Sequence, residues 1–151
     1  MSATALAGIG SEIHAVHAFF VAWIGGRCPP AGEHFALLTA RFDAAFTLTT
    51  PDGATTAGQD LWAGMRRAHG ANPEFRIAIR EVRPALLGRG YAWATYEEWQ
   101  RGARLTGPER NGRIATALFA FDAAAPGGLR WLRVQETWLP PERVAGGDFD
   151  F

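Results

Sequence analysis

Residues 91–100 read YAWATYEEWQ, residues 114–121 read IATALFAF and residues 129–139 read LRWLRVQETWL. All three runs alternate with a period of two, are rich in β-branched and aromatic side chains, and are bounded by turn residues, which predicts strands. Gly102, Gly107, Pro108 and Asn111-Gly112 fill the loop at 102–112, and Pro126-Gly127-Gly128 makes the second turn. A fourth alternating run lies just upstream, where Phe75, Ile77 and Ile79 are interleaved with Arg76, Ala78 and Arg80. Gly88 and Gly90 supply its bend at 86–90. Consecutive strands joined by short turns predict an antiparallel meander.

Upstream of residue 70 the period changes to that of a helix. Ser11 is a candidate cap for a run in which Ile13, Val16, His17, Phe20, Trp23 and Ile24 recur at helical spacing, and Gly25-Gly26 stops it. Pro29-Pro30 opens a second, short helix carrying Phe35, Leu38 and Phe42. Phe46 and Leu48 alternate with Thr47 and Thr49 as a strand over 45–50, followed by the turn Pro51-Asp52-Gly53. A third helix is expected over 59–69, with Leu61, Trp62, Met65 and Ala68 on one side and Gly70 at its end. Helices first and a meander after is an α+β pattern. The expected architecture is a curved, mostly antiparallel sheet wrapped around the N-terminal helices, a cone with one pocket at its mouth. One domain spans 1–141, because Pro140-Pro141 cannot continue a central strand, and 142–151 form a loose tail.

Composition narrows the function. The chain has 151 residues, with 15 basic residues, all Arg, balanced by 15 acidic ones. There is no basic footprint for nucleic acid, and without lysine a Schiff-base mechanism is excluded. A single cysteine, Cys28, excludes an internal disulfide framework and a cysteine zinc cluster. The start of the chain lacks the basic opening of a signal peptide, and Glu12, His14 and His17 interrupt its apolar stretch, so no membrane span and a cytoplasmic location are expected. His14 and His17 have a spacing that can hold a metal, but no further ligands accompany them, so neither metal nor cofactor is expected.

The order of elements, the segment Phe46-Thr-Leu-Thr-Thr-Pro-Asp-Gly53 and the last strand Trp131-Leu-Arg-Val-Gln-Glu-Thr-Trp138 resemble the nuclear transport factor 2-like superfamily, in its SnoaL-like and ketosteroid-isomerase-like branch. The resemblance covers roughly residues 10–140. It implies a cone-shaped, cystatin-like fold and an activity among isomerases, cyclases, dehydratases and non-catalytic binding or assembly modules. It also implies a homodimer through the outer face of the sheet. The steroid-isomerase branch has an aspartate base near the end of the first strand. Here that stretch reads Thr49-Thr50-Pro51, and Phe19 and Phe20 stand about where that branch has a tyrosine, so steroid-isomerase chemistry itself is not implied.

Alternation assigns the faces. Leu132, Val134, Glu136 and Trp138 share one side of the last strand, and the more apolar set is placed inward. Ala92, Ala94, Tyr96 and Glu98 share a side of the Tyr91 strand, as do Ala115, Ala117 and Phe119 of the Ile114 strand. If the alanines face in, they leave an open lumen ringed by Tyr96, Glu98, Glu136 and Trp138. The outer face then carries Trp93, Trp99 and Trp131, an aromatic patch suited to a homodimer. The reverse parity, with the alanines packed under the helices and the tryptophans filling the core, stays open.

Glu136 and Glu98 are the acid–base candidates, since burial raises a carboxyl pKa toward neutrality. Tyr96 is the candidate hydrogen-bond donor to a ligand oxygen. Trp138, Trp62, Trp23 and Phe19 are candidate apolar walls, and His17 faces the pocket from the first helix. The expected ligand is a small, mostly apolar molecule, turned over by a cofactor-independent isomerase, cyclase or dehydratase, with a non-catalytic dimerisation or ligand-binding module as the alternative.

Overall fold

The computed structural model describes residues 2–151 and has four helices and six strands among them. They are α1 (Ser2–Ile24), α2 (Gly32–Thr39), β1 (Phe42–Thr49), β2 (Thr55–Ala57), α3 (Gly58–Arg67), β3 (Arg76–Leu87), β4 (Tyr91–Arg101), β5 (Asn111–Phe121), β6 (Leu129–Trp138) and α4 (Pro141–Ala145). One sheet has the order β2-β1-β6-β5-β4-β3. β3 to β6 form the antiparallel meander, while β1 runs parallel to β6 and antiparallel to β2. The fold is thus α+β with a mixed, mostly antiparallel sheet.

Helix α1 starts nine residues before the expected cap. Ser11 lies inside it, its hydroxyl donating to the Ala7 carbonyl at 3.2 Å. Ala3, Ala5, Leu6 and Ala7 ahead of it are strong helix formers, and Gly8 and Gly10 weaken the helix without ending it. By length and composition α1 is long and apolar enough to cross a membrane, and one face of it packs in the core. Ile9, Ile13 and Val16, at i, i+4 and i+7, are fully buried with Ala92, Ala94, Ala115 and Ala117 of β4 and β5. The alanines do face inward, as the alternation predicts. The space above them is filled by α1, however, so at this end of the sheet there is no lumen.

Two irregularities shape the rest. The register passes from Leu118↔Arg133 to Phe119↔Trp131, so β6 carries one extra residue, Leu132, opposite β5. Strict alternation fails across this bulge. Trp131 therefore turns inward beside Val134 and is 1% exposed, which corrects its expected place on the outer face. It packs against Phe42 and Phe119 at ring-centroid distances of 5.4 and 4.6 Å, and its indole N–H donates to the buried Glu12 carboxylate at 3.1 Å. A second bulge, between Arg80 and Arg83, includes Glu81 at a φ of 53°, and it bends β3 around α1.

Trp99 does lie on the outer side of β4, yet it is 3% exposed because its own chain covers it. Residues 142–145 belong to α4, and Arg143 pairs with Glu97 at 2.5 and 3.2 Å. Beyond α4, Phe149 packs on Trp99 with centroids 5.5 Å apart, Arg80 donates to the Asp148 carbonyl at 2.7 Å, and Arg101 holds the Phe151 carbonyl at 2.6 Å. The segment expected as a loose tail lies along the outer face here. The open part of that face is Tyr91, Trp93, Ile114, Thr116 and Leu118, with Arg133, Gln135 and Thr137 of β6 beside them.

Candidate functional site

Where α1 ends its cover of the sheet, a cavity of about 550 Å³ opens. That volume is in the range of sites for small organic ligands. Its walls are apolar. Val16, Phe20 and Ile24 come from α1, Phe42, Phe46 and Leu48 from β1, Leu61, Trp62 and Met65 from α3, and Trp131 and Val134 from β6. His17, Tyr96, Glu98, Gln100, Arg113 and Glu136 make its polar end.

The strand register assembles this polar end. Tyr96, Ala115 and Glu136 sit in one row across β4, β5 and β6, and Glu98, Arg113 and Trp138 in the next. The small Ala115 leaves Tyr96 and Glu136 unobstructed toward the cavity. Arg113 stands directly between the two carboxylate strands. Its Nη1 donates to Glu136 Oε2 at 2.9 Å, and its Nη2 donates to the Thr106 carbonyl at 2.9 Å and to Asn111 Oδ1 at 3.0 Å. Gln100, one row further, donates to Glu98 Oε1 at 2.6 Å and accepts from the Thr106 hydroxyl at 2.6 Å.

His17 reaches the same cluster from α1. Its Nδ1 faces the Ile13 carbonyl at 2.7 Å and must carry the proton there, which leaves Nε2 pointing at Glu98 Oε2, 3.2 Å away. A bare Nε2 against a carboxylate would be repulsive, so a second proton belongs on the ring. Burial alone would lower the His17 pKa, but the Glu98 charge and its hydrogen bond outweigh that, and the net shift is upward. Burial would likewise raise Glu98, and the His17 cation, Arg113 and the Gln100 amide instead hold it down to about 2. Glu98 and His17 are therefore an ion pair.

Glu136 differs. Burial raises its pKa, and the fixed negative charge of Glu98 raises it further. Arg113 and His17 pull it down only in part, and it comes to rest at about 7. Two neighbouring carboxyls are thus driven apart, one permanently ionised and one titrating near neutrality. Tyr96, raised well above its ordinary value by burial and then by Glu98 and Glu136, stays a neutral O–H at the cavity wall.

Of the residues singled out from sequence, Glu136, Glu98, Tyr96, His17 and Trp62 come together on this cavity. Trp138 is at its rim, its indole N–H donating to Asp52 at 3.2 Å and its ring 4.8 Å from the Arg113 guanidinium. Phe19 and Trp23 do not reach it. They are one helical turn apart on the face of α1 turned to α2, where they stack at 5.9 Å and pack on Phe35, and the Trp23 indole donates to the Met65 carbonyl at 2.7 Å. Val16, Phe20 and Ile24 form the cavity face of the helix instead. Arg113, Gln100 and Thr106 went unrecognised. Extending the alternation Phe119, Ala117, Ala115 back by one step finds Arg113. His14 is exposed while His17 is buried, and among the described residues no three metal-ligating side chains converge.

No family model matches the chain, and no curated protein matches it. Solved structures do. A nuclear transport factor 2-like protein of unknown function from Pseudomonas aeruginosa is 27% identical over 88% of this chain and 99% of its own, with a TM-score of 0.74. A candidate ketosteroid isomerase from Shewanella frigidimarina (13% identical, 86% and 94% covered) superposes with a TM-score of 0.61. A calcium/calmodulin-dependent kinase II hub homology domain from Chlamydomonas reinhardtii (14% identical, 90% and 99% covered) gives 0.65. The first likeness extends over nearly all of both chains, and the other two show the shared fold.

Proposed function

We propose that this chain, whose fold is that of the nuclear transport factor 2-like proteins, is a cofactor-independent proton-transfer enzyme for a small, mostly apolar substrate, of the isomerase, cyclase or dehydratase kind. The observation that carries the reading is Glu136, a buried carboxyl beside the ionised Glu98, titrating at about 7 at the polar end of an apolar cavity. A group with its pKa at the working pH gives and takes a proton with little cost either way. As carboxylate, Glu136 accepts a proton from a carbon next to a carbonyl. As acid, it returns that proton to another carbon or to a leaving hydroxyl. Tyr96 donates to the substrate oxygen on which charge develops, and Arg113 orients Glu136 through the 2.9 Å bond. Glu98 raises the pKa of His17 and His17 lowers that of Glu98, so the pair holds its proton on the ring and sets the charge beside Glu136. Trp62, Trp131 and Phe20 exclude water and seat the apolar body.

The test needs no knowledge of the natural substrate. Hydrogen–deuterium exchange at the acidic carbons of 2-tetralone, a planar apolar ketone, is followed by NMR with and without protein. Acceleration with an inflection near pH 7, lost by about 10²–10⁴-fold in Glu136→Gln, is the expected result. Equal exchange in wild type and variant overturns the reading.

We infer also that two copies pair through the open part of the outer sheet face. Tyr91 and Ile114 are 50% and 41% exposed there, with the Trp93–Leu118 pair next to Tyr91 and the Thr95–Thr116 pair between Leu118 and Ile114, on a bare antiparallel face. Trp99 and Trp131 are not part of it.

A further inference from the structure

The closed end of the cavity has an unbalanced set of charges. Arg113 is a cation, Glu98 is the one anion that stays ionised near neutrality, and His17, its pKa raised by Glu98, is the second cation while it keeps its proton. Their side chains are 6% (His17), 6% (Arg113) and 8% (Glu98) exposed, so water does little to screen them. Glu136 supplies the fourth charge, and only when it is ionised is the cluster neutral. No other ionisable side chain lines this end of the cavity. Tyr96 on β4 is a neutral donor, and Asp52, on the β1–β2 turn, is exposed at the rim against Trp138. Once Glu136 is protonated, the cluster holds one net positive charge facing 550 Å³ of largely apolar space. An anion of matching size removes that imbalance. An anion approaching ionised Glu136 would meet a like charge in a poorly screened site.

We propose that this cavity binds carboxylates with an apolar body, the carboxylate at the polar end near Tyr96 and Arg113, and that each enters with one proton, which Glu136 takes up. The proposal rests on the reading of Glu136 as the titrating group and adds a ligand class to it. The bound state has the charges of an enolate facing protonated Glu136, so apolar carboxylates occupy the place of the anion formed during turnover. A fixed positive site would bind carboxylates without regard to pH. A neutral apolar site would bind alcohols and carboxylates alike. This cluster does neither.

The experiment is calorimetric titration of the whole chain with naphthalene-2-carboxylate and with the neutral naphthalene-2-methanol, between pH 6 and 9, in buffers of different ionisation enthalpy. The expected result is carboxylate binding that weakens about tenfold per pH unit above 7, with about one proton taken up at pH 8.5 and little at pH 6. The alcohol should show no such dependence. Glu136→Gln, which fixes that side chain neutral, should keep carboxylate binding and abolish the pH dependence and proton uptake centred near 7, leaving only the weakening at higher pH that loss of the His17 proton brings. Carboxylate binding without proton uptake, tighter binding of the alcohol at pH 6, or no carboxylate binding at millimolar concentration overturns the proposal. Titration of Glu136 in the ligand-free protein separates the two failures. A Glu136 that titrates near 7 while carboxylates fail to bind removes the ligand class alone, whereas a Glu136 ionised well below neutrality removes both.

Discussion

A buried carboxyl with a raised pKa is most stable in its acid form, and that has a measurable cost for the folded chain. In the unfolded state Glu136 has a pKa of 4.5, and in the fold it is about 7. Between those values the native state binds the extra proton, so stability attributable to Glu136 falls as pH rises from 4.5 through 7. Glu136→Gln removes that loss. The stability of the variant relative to wild type should rise by about 1–3 kcal/mol between pH 5 and pH 8, measured by denaturant unfolding at each pH. Within the His17–Glu98 pair the two partners have opposite profiles. The lowered Glu98 pKa contributes stability above 4.5 that is lost as pH falls toward 2, and the raised His17 pKa contributes stability below 6.5 that is lost as pH rises through its folded value. His17→Gln should therefore be most destabilising between about pH 4.5 and 6.5, and its difference from wild type should shrink as pH rises above 6.5. Gln100→Leu leaves Glu98 one buried hydrogen bond short and should cost about 1–3 kcal/mol in the same unfolding assay. Glu98, Glu136, Tyr96 and His17 were legible from two periodicities, that of the strand and that of the helix. Arg113 was not, because it lies just ahead of the alternating run that starts at Ile114, and Gln100, on the inner side of the Tyr91 strand, was passed over because an amide carries no charge to mark it. Alternation says which side a residue is on but not where a strand begins.

At the scale of elements, α1 organises both the core and the site. Its N-terminal half rests on the alanines of β4 and β5, and its C-terminal half gives the cavity His17 and Phe20. Ile13→Ala should cost about 2–5 kcal/mol in thermal or denaturant unfolding, because the site is fully buried against small residues that cannot close the gap. The order of helices and the four-strand meander follow from apolar spacing and turn residues alone. What escaped the sequence has specific causes. The bulge at Leu132 shifts side-chain parity within a strand that looks regular, and it takes Trp131 from the expected outer face into the core. β2 is three residues long, and α4 five, too short for either period to show. The parallel pairing of β1 with β6 is a contact distant in sequence that no local pattern encodes. The segment after α4 is tied down by Trp99, whose ring leaves no room beside Gly147; a Cβ there would lie 2.2 Å from Trp99 Cζ3. Gly147→Ala should lift this segment, seen as faster amide hydrogen exchange over 146–151 while the core amides of α1 stay protected.

At the scale of the molecule, the sheet divides the chemistry by face. The inner face changes along its length from alanines under α1 to the ionised cluster in the cavity. The outer face is closed by α4 and the following residues around Trp99 and open around Trp93 and Leu118. On the proposed pairing, light scattering should give twice the mass of a single chain, and Leu118→Arg, at a half-buried position of the open patch, should give single chains with the fold retained by circular dichroism. Pairing by this face leaves the cavity mouth free, so the variant should keep its ligand binding. Whatever the assembly, the function proposed for the cavity depends on one carboxyl being held apart from its neighbour in ionisation. The most direct measurement is the ¹³C chemical shift of the Glu136 side-chain carboxyl against pH, assigned by its loss in Glu136→Gln. A midpoint near 7 is the predicted result, with Glu98 still ionised below pH 4. A midpoint near 4.5 for Glu136 would contradict the account.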